Sequence, residues 1–113
     1  MDMGDVNVPQ RGDVYLISLD PTKGREIKKT RPCLVVSPNE LNDHLSTFLV
    51  APMTTGGHRY PFRIPCQFQK TKGFIVLDQI RTIDRARLIR RLGRVSAKSL
   101  AEALSVLQEM FTE

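Results

Sequence analysis

Short apolar runs, each bounded by proline, glycine or polar residues, recur along the chain and predict β-strands. The predicted strands cover residues 13–19, 33–37, 47–51, 60–68, 74–78 and 92–95. In the first run, Val14 and Tyr15 lie on opposite faces and both faces are partly apolar, which favours a closed or covered sheet. Pro52 is expected to end the third run. Pro61 and Pro65 interrupt the fourth, which predicts an edge strand.

Helical spacing is clearest at the C-terminus. A stripe of apolar residues recurs there at helical intervals: Leu100, Leu104, Leu107 and Phe111. Because Ser96 is a suitable N-cap, the spacing predicts a helix over residues 97–111. Two shorter helices are expected, one over residues 39–45, which follow Pro38, and one over residues 84–91, which Asp84 caps.

The segment from residue 84 to residue 91 is rich in arginine. On a helix, Arg87 and Arg91 share one face, where like charges repel. Two interpretations stay open at this point, a solvated basic face or a row that binds an anion. Many short strands with proline and glycine turns, followed by one long helix, predict a small, mainly antiparallel β-barrel with α additions.

Length and charge narrow the class of protein. The 113 residues are expected to form one domain, residues 11–113, preceded by a flexible N-terminal arm, residues 1–10. The formal charge of +5 indicates an anionic partner, and RNA, DNA and an acidic protein segment all remain open. Because no apolar run approaches the roughly 20 residues of a membrane span and the first ten residues are polar, we expect a soluble, cytoplasmic protein.

The loop between the first two predicted strands carries a concentration of positive charge. Within residues 20–32, Glu26 is accompanied by five cations: Lys23, Arg25, Lys28, Lys29 and Arg31. One interpretation is a solvated hairpin tip. The other is an anion site, with Arg31 at the mouth of a strand where Pro32 fixes the backbone.

Several kinds of chemistry lack their usual residue patterns. His44 and His58 are far apart, and neither has zinc-ligand spacing to a cysteine. Cys33 and Cys66 each lie in an apolar run and are expected to be buried thiols. No phosphate-cradling glycine motif is present in the sequence. We therefore expect no metal and no cofactor.

The polar residues that remain suit RNA cleavage without a metal ion, because RNA carries its own nucleophile, the 2′-hydroxyl. A guanidinium donates two parallel hydrogen bonds to phosphate oxygens, a hydroxyl adds a donor, and a carboxylate serves as a base. The Met53–His58 turn supplies Thr54 and Thr55, which are either site hydroxyls or plain turn residues.

Four blocks of sequence resemble the MazF/PemK family of bacterial toxins. They are RGDVYLISLDP with the following TRPCLVVSPNELN, then LVAPMTT, YPFRIP and LDQIRTID, in this order and at matching spacing over most of residues 11–94. The resemblance implies a small SH3-like barrel of the CcdB/PemK type with a C-terminal helix. It also implies a metal-independent endoribonuclease that cleaves single-stranded RNA, a homodimer, and a cognate antitoxin protein as partner.

The resemblance also assigns roles to residues. Arg31 corresponds to the catalytic arginine, Thr54 to its hydroxyl partner and Glu26 to a proposed base, and Asp78 is a candidate to hold Arg31 in place. RNA contact is expected from a wider set: Lys23, Arg25, Lys28, Lys29, Thr55, Asp78, Gln79 and Arg81. Another branch of the family uses a histidine and an arginine where this chain has Arg25 and Val76, so that scheme does not transfer unchanged.

Two alternatives of other classes stay open. Related barrels act as non-catalytic inhibitors of a topoisomerase, and a bare nucleic-acid-binding barrel would also carry basic loops. An inhibitor has no need of the Arg31–Thr54 pair, which favours the toxin that cleaves RNA and blocks translation.

Overall fold

The computed structural model describes residues 8–57 and 59–113. Within these residues the strands are β1 (Asp13–Ser18), β2 (Thr30–Val35), β3 (Thr47–Thr54), β4 (Arg63–Phe68), β5 (Thr71–Val76), β6 (Arg81–Asp84) and β7 (Leu88–Arg94). The helices are α1 (Asn39–Asn42) and α2 (Ala97–Met110), and single 3-10 turns span Leu77–Gln79 and Arg85–Arg87. Most of the predicted N-terminal arm and His58 lie outside the described residues. Of the arm's last residues, Pro9 is buried.

The seven strands form one sheet in the order β4-β5-β3-β2-β1-β7, and β6 pairs with β3. All pairings are antiparallel, and β3 is the centre because it pairs with β2, β5 and β6. Its register sets Cys33 opposite Pro52 and Thr54 opposite Phe74. As predicted from its prolines, β4 is an edge strand.

The two ends of the sheet approach one another as in a barrel. The Gln69 side chain, in the turn between β4 and β5, donates a 2.7 Å hydrogen bond to the carbonyl oxygen of Leu92 in β7. The Phe68 ring lies so near Gly93 that a Cβ there would be 3.3 Å from it. The predicted mainly β barrel with a C-terminal helix is therefore confirmed, although its ends meet through side chains rather than a strand pairing in the described part of the chain.

Apolar residues on both sides of the sheet form two cores. The first lies beneath α2 and includes Val14, Leu34, Ala51, Ile75, Leu77 and Ala103. The second includes Tyr15, Ile17, Cys33, Val35, Phe48 and Ile83. β1 was expected to be buried on both faces, and this is confirmed: Val14 lies in the first core, and Tyr15 and Ile17 lie in the second. Burial of apolar surface on either side stabilises a covered sheet.

The C-terminal helix forms as predicted. The hydroxyl oxygen of Ser96 accepts a hydrogen bond from the backbone N–H of Ser99 at 3.1 Å, the N-cap expected from the sequence. Of the predicted stripe, Leu100 and Leu107 pack on the first core, whereas Phe111 is 74% exposed. No helix among the described residues is both long and apolar enough to cross a membrane.

Two predicted boundaries are wrong for reasons of packing. Pro52 does not end the third strand: it is buried in β3 opposite Cys33, and its missing N–H removes only one donor from the ladder. The second strand begins at Thr30, three residues before the predicted start, so that Arg31 belongs to β2.

The helix predicted over residues 84–91 is also wrong. Asp84 caps only the single turn Arg85–Arg87, by accepting the N–H of Ala86 at 2.8 Å. From Leu88 the chain runs as β7 along β1, with Arg91 opposite Tyr15. Pairing with β1 outweighs the local helical preference, which is a weak effect.

The arginines of this segment form contacts within the chain rather than one basic face. Arg91 and Arg94 both reach the buried carboxylate of Asp13, at 3.2 and 3.1 Å. Arg87 donates to the carbonyl oxygens of Ser18, at 3.2 Å, and Asp20, at 2.6 Å. Arg91 and Arg94 thus join β7 to β1, and Arg87 holds the chain where the loop between β1 and β2 begins.

Candidate active site

Arg31 and Thr54 come together where β2 and β3 emerge from the core. Arg31 lies two residues before Cys33 in β2, and Thr54 lies two residues after Pro52, the partner of Cys33 in β3. Both residues line the same two cavities. Arg31 is exposed and Thr54 is half-buried. A guanidinium and a hydroxyl, 23 positions apart in sequence, are therefore brought to one site.

These two residues form a ridge, together with Thr55, between two cavities. We call the first the tyrosine cavity, of about 540 Å³, which is lined by Arg25, Ile27, Arg31, Thr54, Thr55, Gly56, Gly57, Tyr60, Arg63 and Gln79. The second, the phenylalanine cavity, of about 290 Å³, is lined by Arg31, Pro32, Met53, Thr54, Thr55, Cys66, Phe68, Gln69, Thr71, Lys72, Gly73, Phe74 and Leu92. A chain that crosses the ridge would meet a polar, basic cavity on one side and a largely apolar cavity on the other.

The backbone of Thr54 is held by its neighbours. The Thr54 hydroxyl donates to the carbonyl oxygen of Gly56 at 3.2 Å. In the ladder between β3 and β5, Thr54 pairs with Phe74. Gly73 faces the Thr54 carbonyl so closely that a Cβ on Gly73 would collide with that oxygen. The absence of a side chain at residue 73 is thus a requirement for the position of Thr54.

The basic loop, residues 19–29, is fastened to the barrel. The N–H of Leu19 donates to the carbonyl oxygen of Lys29 at 2.8 Å and closes the base of the loop. The N–H of Ile27 donates to Oε1 of Gln79 at 2.9 Å, and Arg81 donates to the carbonyl oxygen of Leu19 at 3.2 Å. Gln79 and Arg81, predicted as RNA-binding residues, therefore position the loop.

Four cations of this loop are exposed: Lys23, Arg25, Lys28 and Lys29. Among the described cavities, Arg25 lines the tyrosine cavity but not the phenylalanine cavity, and the three lysines line none. The lysines therefore present their charge outside the cavities.

Glu26 stands apart from the Arg31–Thr54 ridge. Its carboxylate accepts the backbone N–H of Lys23 at 2.6 Å, and its own N–H donates to the carbonyl oxygen of Lys23 at 3.1 Å. It lines a neighbouring cavity with Arg25, Asp78, Gln79 and Arg81. Of these residues, only Arg25 and Gln79 also line the tyrosine cavity. Glu26, the candidate base, does not line the cavity that contains Arg31 and Thr54, although Arg25, its neighbour in sequence, does.

Asp78 does not hold Arg31, contrary to the expectation. Its two carboxylate oxygens accept from Nε and Nη2 of Arg63, at 2.8 and 2.9 Å, in a two-pronged ion pair. These bonds lower the pKa of the Asp78 carboxyl and raise the pKa of the Arg63 guanidinium. Asp78 thus stays ionised at a lower pH than an unpaired aspartate does.

The cysteines carry little nucleophilic potential. Burial raises the pKa of the Cys33 thiol to about 12, and burial also raises that of the half-buried Cys66. Because the thiolate is the reactive form, neither thiol is activated at neutral pH. Within residues 8–57 and 59–113, no three His, Cys, Asp or Glu side chains form a group suited to a metal ion.

Sequence reasoning missed two residues of the tyrosine cavity, Tyr60 and Arg63. Both lie in the YPFRIP block, which served only to identify a resemblance. Tyr60 is 54% exposed, and an aromatic residue followed directly by Pro61 at the start of a predicted edge strand was a signal for a surface role rather than a core one.

Known proteins resemble this chain in both sequence and fold. Residues 10–111 match the family described as PemK-like, MazF-like toxins of type II toxin-antitoxin systems. Endoribonuclease PemK of Escherichia coli is 37% identical over 109 residues, which cover 91% of this chain and 82% of PemK. Among solved structures, MazF (Form-I) from Deinococcus radiodurans has a TM-score of 0.81 at 28% identity, covering 91% of this chain and 96% of MazF.

A complex shares the fold as well. An endoribonuclease solved with its cognate antitoxin, from a mycobacterial species, has a TM-score of 0.75 at 24% identity. The match covers 89% of this chain and 92% of that protein. At this identity the likeness concerns the fold alone.

Proposed function

The chain belongs to the PemK-like, MazF-like toxins of type II toxin-antitoxin systems, and we propose that it is an endoribonuclease that cleaves single-stranded RNA without a metal ion. The observation that carries the proposal is that Arg31 and Thr54 line the same two cavities and form the ridge between them. We further propose that the protein acts in the cytoplasm and cleaves RNA at specific sequences. This cleavage inhibits translation and arrests growth. A topoisomerase inhibitor of the same fold is not favoured, because it has no use for that pair.

The reaction that suits these groups uses the substrate's own 2′-hydroxyl. A base removes the 2′ proton, a bond forms between O2′ and phosphorus, the bond from phosphorus to O5′ breaks, and the 5′-oxygen takes a proton from solvent. The products are a 2′,3′-cyclic phosphate and a 5′-hydroxyl. Charge builds on the non-bridging oxygens, where fixed donors act most strongly.

Each side chain has a role in this scheme. Arg31 donates to two non-bridging oxygens at once, which a lysine does not do. Thr54 turns its hydroxyl from Gly56 to the phosphate or to the leaving 5′-oxygen. Glu26 serves as the base once its side chain turns away from the N–H of Lys23, which frees the carboxylate to take the 2′ proton.

The partners follow from charge and family. RNA follows a path past the exposed cations of the basic loop, and Thr55 and Gln79 border that path. An acidic segment of a cognate antitoxin competes for the same surface, because the chain carries a formal charge of +5. A symmetric homodimer shares the RNA groove between its copies. A monomer by light scattering at micromolar concentration would contradict the dimer.

The function is tested by incubating the purified protein with a mixed-sequence RNA in excess EDTA. We expect cleavage at defined sequences, with 2′,3′-cyclic phosphate and 5′-hydroxyl ends by mass spectrometry. An Arg31→Ala preparation made in parallel controls for contaminating ribonuclease. Loss of cleavage in EDTA, with recovery on adding one divalent ion, would overturn the metal-free reaction.

A further inference from the structure

Tyr60 presents an aromatic ring on the wall of the tyrosine cavity. Its side chain is one of the few large apolar groups on the described surface that are more than half exposed, at 54%. The same cavity contains Arg31 and Thr54. If Arg31 and Thr54 hold the scissile phosphate, the nucleotide next to that phosphate would enter the tyrosine cavity and meet the Tyr60 ring.

The ring is braced by a charged pair. Cζ of Arg63 lies 5.0 Å from the Tyr60 ring centroid, within the range of a cation–π contact. The guanidinium is itself fixed, because Asp78 holds two of its nitrogens at 2.8 and 2.9 Å. A side chain braced in this way loses less conformational entropy when a ligand packs on it.

The backbone around the ring is also fixed. The N–H of Arg63 donates to the carbonyl oxygen of Tyr60 at 3.2 Å and closes a turn. Within that turn Phe62 has φ of +64°, a conformation that non-glycine residues rarely adopt. The carbonyl oxygen of Phe62 accepts the N–H of Leu77 at 3.1 Å, which ties the turn to the end of β5. The ring therefore has a fixed place relative to the ridge.

We infer that Tyr60, braced by the Arg63–Asp78 pair, is the stacking platform for the nucleobase next to the scissile phosphate, and so a residue that determines how RNA is positioned. The inference rests on the proposed ribonuclease function and adds to it a base-binding subsite. Stacking suits an exposed aromatic ring because every nucleobase has a π-face. Arg31 and Thr54 engage the phosphate beside the stacked base.

The test uses an oligonucleotide made from a cleavage site of the wild-type protein, with 2′-deoxyribose at the scissile nucleotide so that it binds without being cut. Its affinity is measured for wild type, Tyr60→Ala, Tyr60→Leu and Tyr60→Phe. Loss of one base–aromatic stack weakens binding by roughly 5- to 150-fold. We expect this loss for Tyr60→Ala and Tyr60→Leu, and an affinity within about twofold of wild type for Tyr60→Phe, which keeps the ring.

An abasic nucleotide placed at each flanking position in turn identifies the stacked base. At one position, the abasic nucleotide should weaken wild-type binding by about the factor seen for Tyr60→Ala. The same abasic nucleotide should leave the affinity of the Tyr60→Ala protein unchanged. This is the result expected when the ring and the base are in direct contact. Arg63→Lys, which keeps the charge but not the two-pronged pair with Asp78, should lose part of the affinity in wild type and none in the Tyr60→Ala background.

The outcomes separate this inference from the function on which it rests. If wild type cleaves RNA but Tyr60→Ala binds every oligonucleotide as wild type does, the stacking platform is refuted and the ribonuclease stands. Equal losses for Tyr60→Phe and Tyr60→Ala, or an abasic effect that adds to the Tyr60→Ala effect at every position, would refute it as well. If wild type does not cleave RNA, the proposed function fails and the subsite with it.

Discussion

The side chain of Gln79 accepts the backbone N–H of Ile27 at 2.9 Å, across 52 positions of sequence. This bond fixes the loop that carries Arg25 and Glu26 to the single turn that follows β5, so that Arg25 is held at the wall of the tyrosine cavity.

Gln79→Ala should release this part of the loop. One lost hydrogen bond costs about 0.5–1.5 kcal/mol of stability, but RNA cleavage should fall by more than that cost implies because Arg25 and Glu26 lose their position. Hydrogen exchange of the Ile27 amide is the direct measurement, and it should accelerate. Gln79→Glu keeps the acceptor oxygen and should keep the amide protected. Equal protection in wild type and Gln79→Ala would show that the bond does not hold the loop.

Arg31→Lys should be nearly as inactive as Arg31→Ala, while RNA affinity falls much less. Lysine keeps the charge but does not donate to two phosphate oxygens in one plane. Removal of such a donor costs about 10²–10³ in rate. Single-turnover cleavage and binding of an uncleavable RNA separate the two effects, and Thr54→Ala should cost less than Arg31→Ala. Full cleavage by Arg31→Lys, or cleavage at a 2′-deoxy scissile nucleotide, would contradict the mechanism.

Glu26 has a structural bond and a proposed catalytic role, and two variants separate them. Glu26→Gln keeps an oxygen that accepts the N–H of Lys23, whereas Glu26→Ala removes it. If Glu26 is the base, both variants should cleave far more slowly than wild type at every pH. If it only closes the turn, Glu26→Gln should cleave like wild type at every pH and Glu26→Ala alone should be impaired.

Gly73→Ala should displace Thr54, because the added methyl group collides with the Thr54 carbonyl oxygen. Forcing a methyl group into such a site costs roughly 1–3 kcal/mol of stability, and cleavage should fall more than RNA binding. Gly56→Ala is the matched control for stability, since a Cβ there meets nothing within 4 Å. Thermal denaturation gives the comparison, and equal melting temperatures for the two variants would refute the collision.

RNA binding should weaken steeply with salt. Lys28→Glu and Lys29→Glu should each flatten the plot of log affinity against log salt by about 0.7–1 unit per lost phosphate contact. Lys98→Glu, on the exposed side of α2, makes the same change of charge and should leave the slope as in wild type. An unchanged slope in Lys28→Glu and Lys29→Glu would place the RNA path elsewhere.

Local pattern was sufficient for much of this fold. The alternation of β1 predicted its burial on two faces, the spacing of the terminal apolar stripe predicted α2, and Ser96 predicted the helix cap that the Ser99 N–H confirms. These features depend on residues a few positions apart, so periodicity and capping determine them. The sequence blocks also indicated the family and named Arg31 and Thr54 as partners.

Only the tertiary structure decided which distant groups meet. Asp78 was expected near Arg31 but pairs with Arg63. Arg90, Arg91 and Arg94 lie on a strand rather than a helix because β7 pairs with β1. Pro52 stays within β3 since pairing on either side of it compensates for its missing donor. Strand register and the packing of the two cores fix these pairings. Both depend on residues that are far apart in sequence, so no short stretch of the chain predicts them.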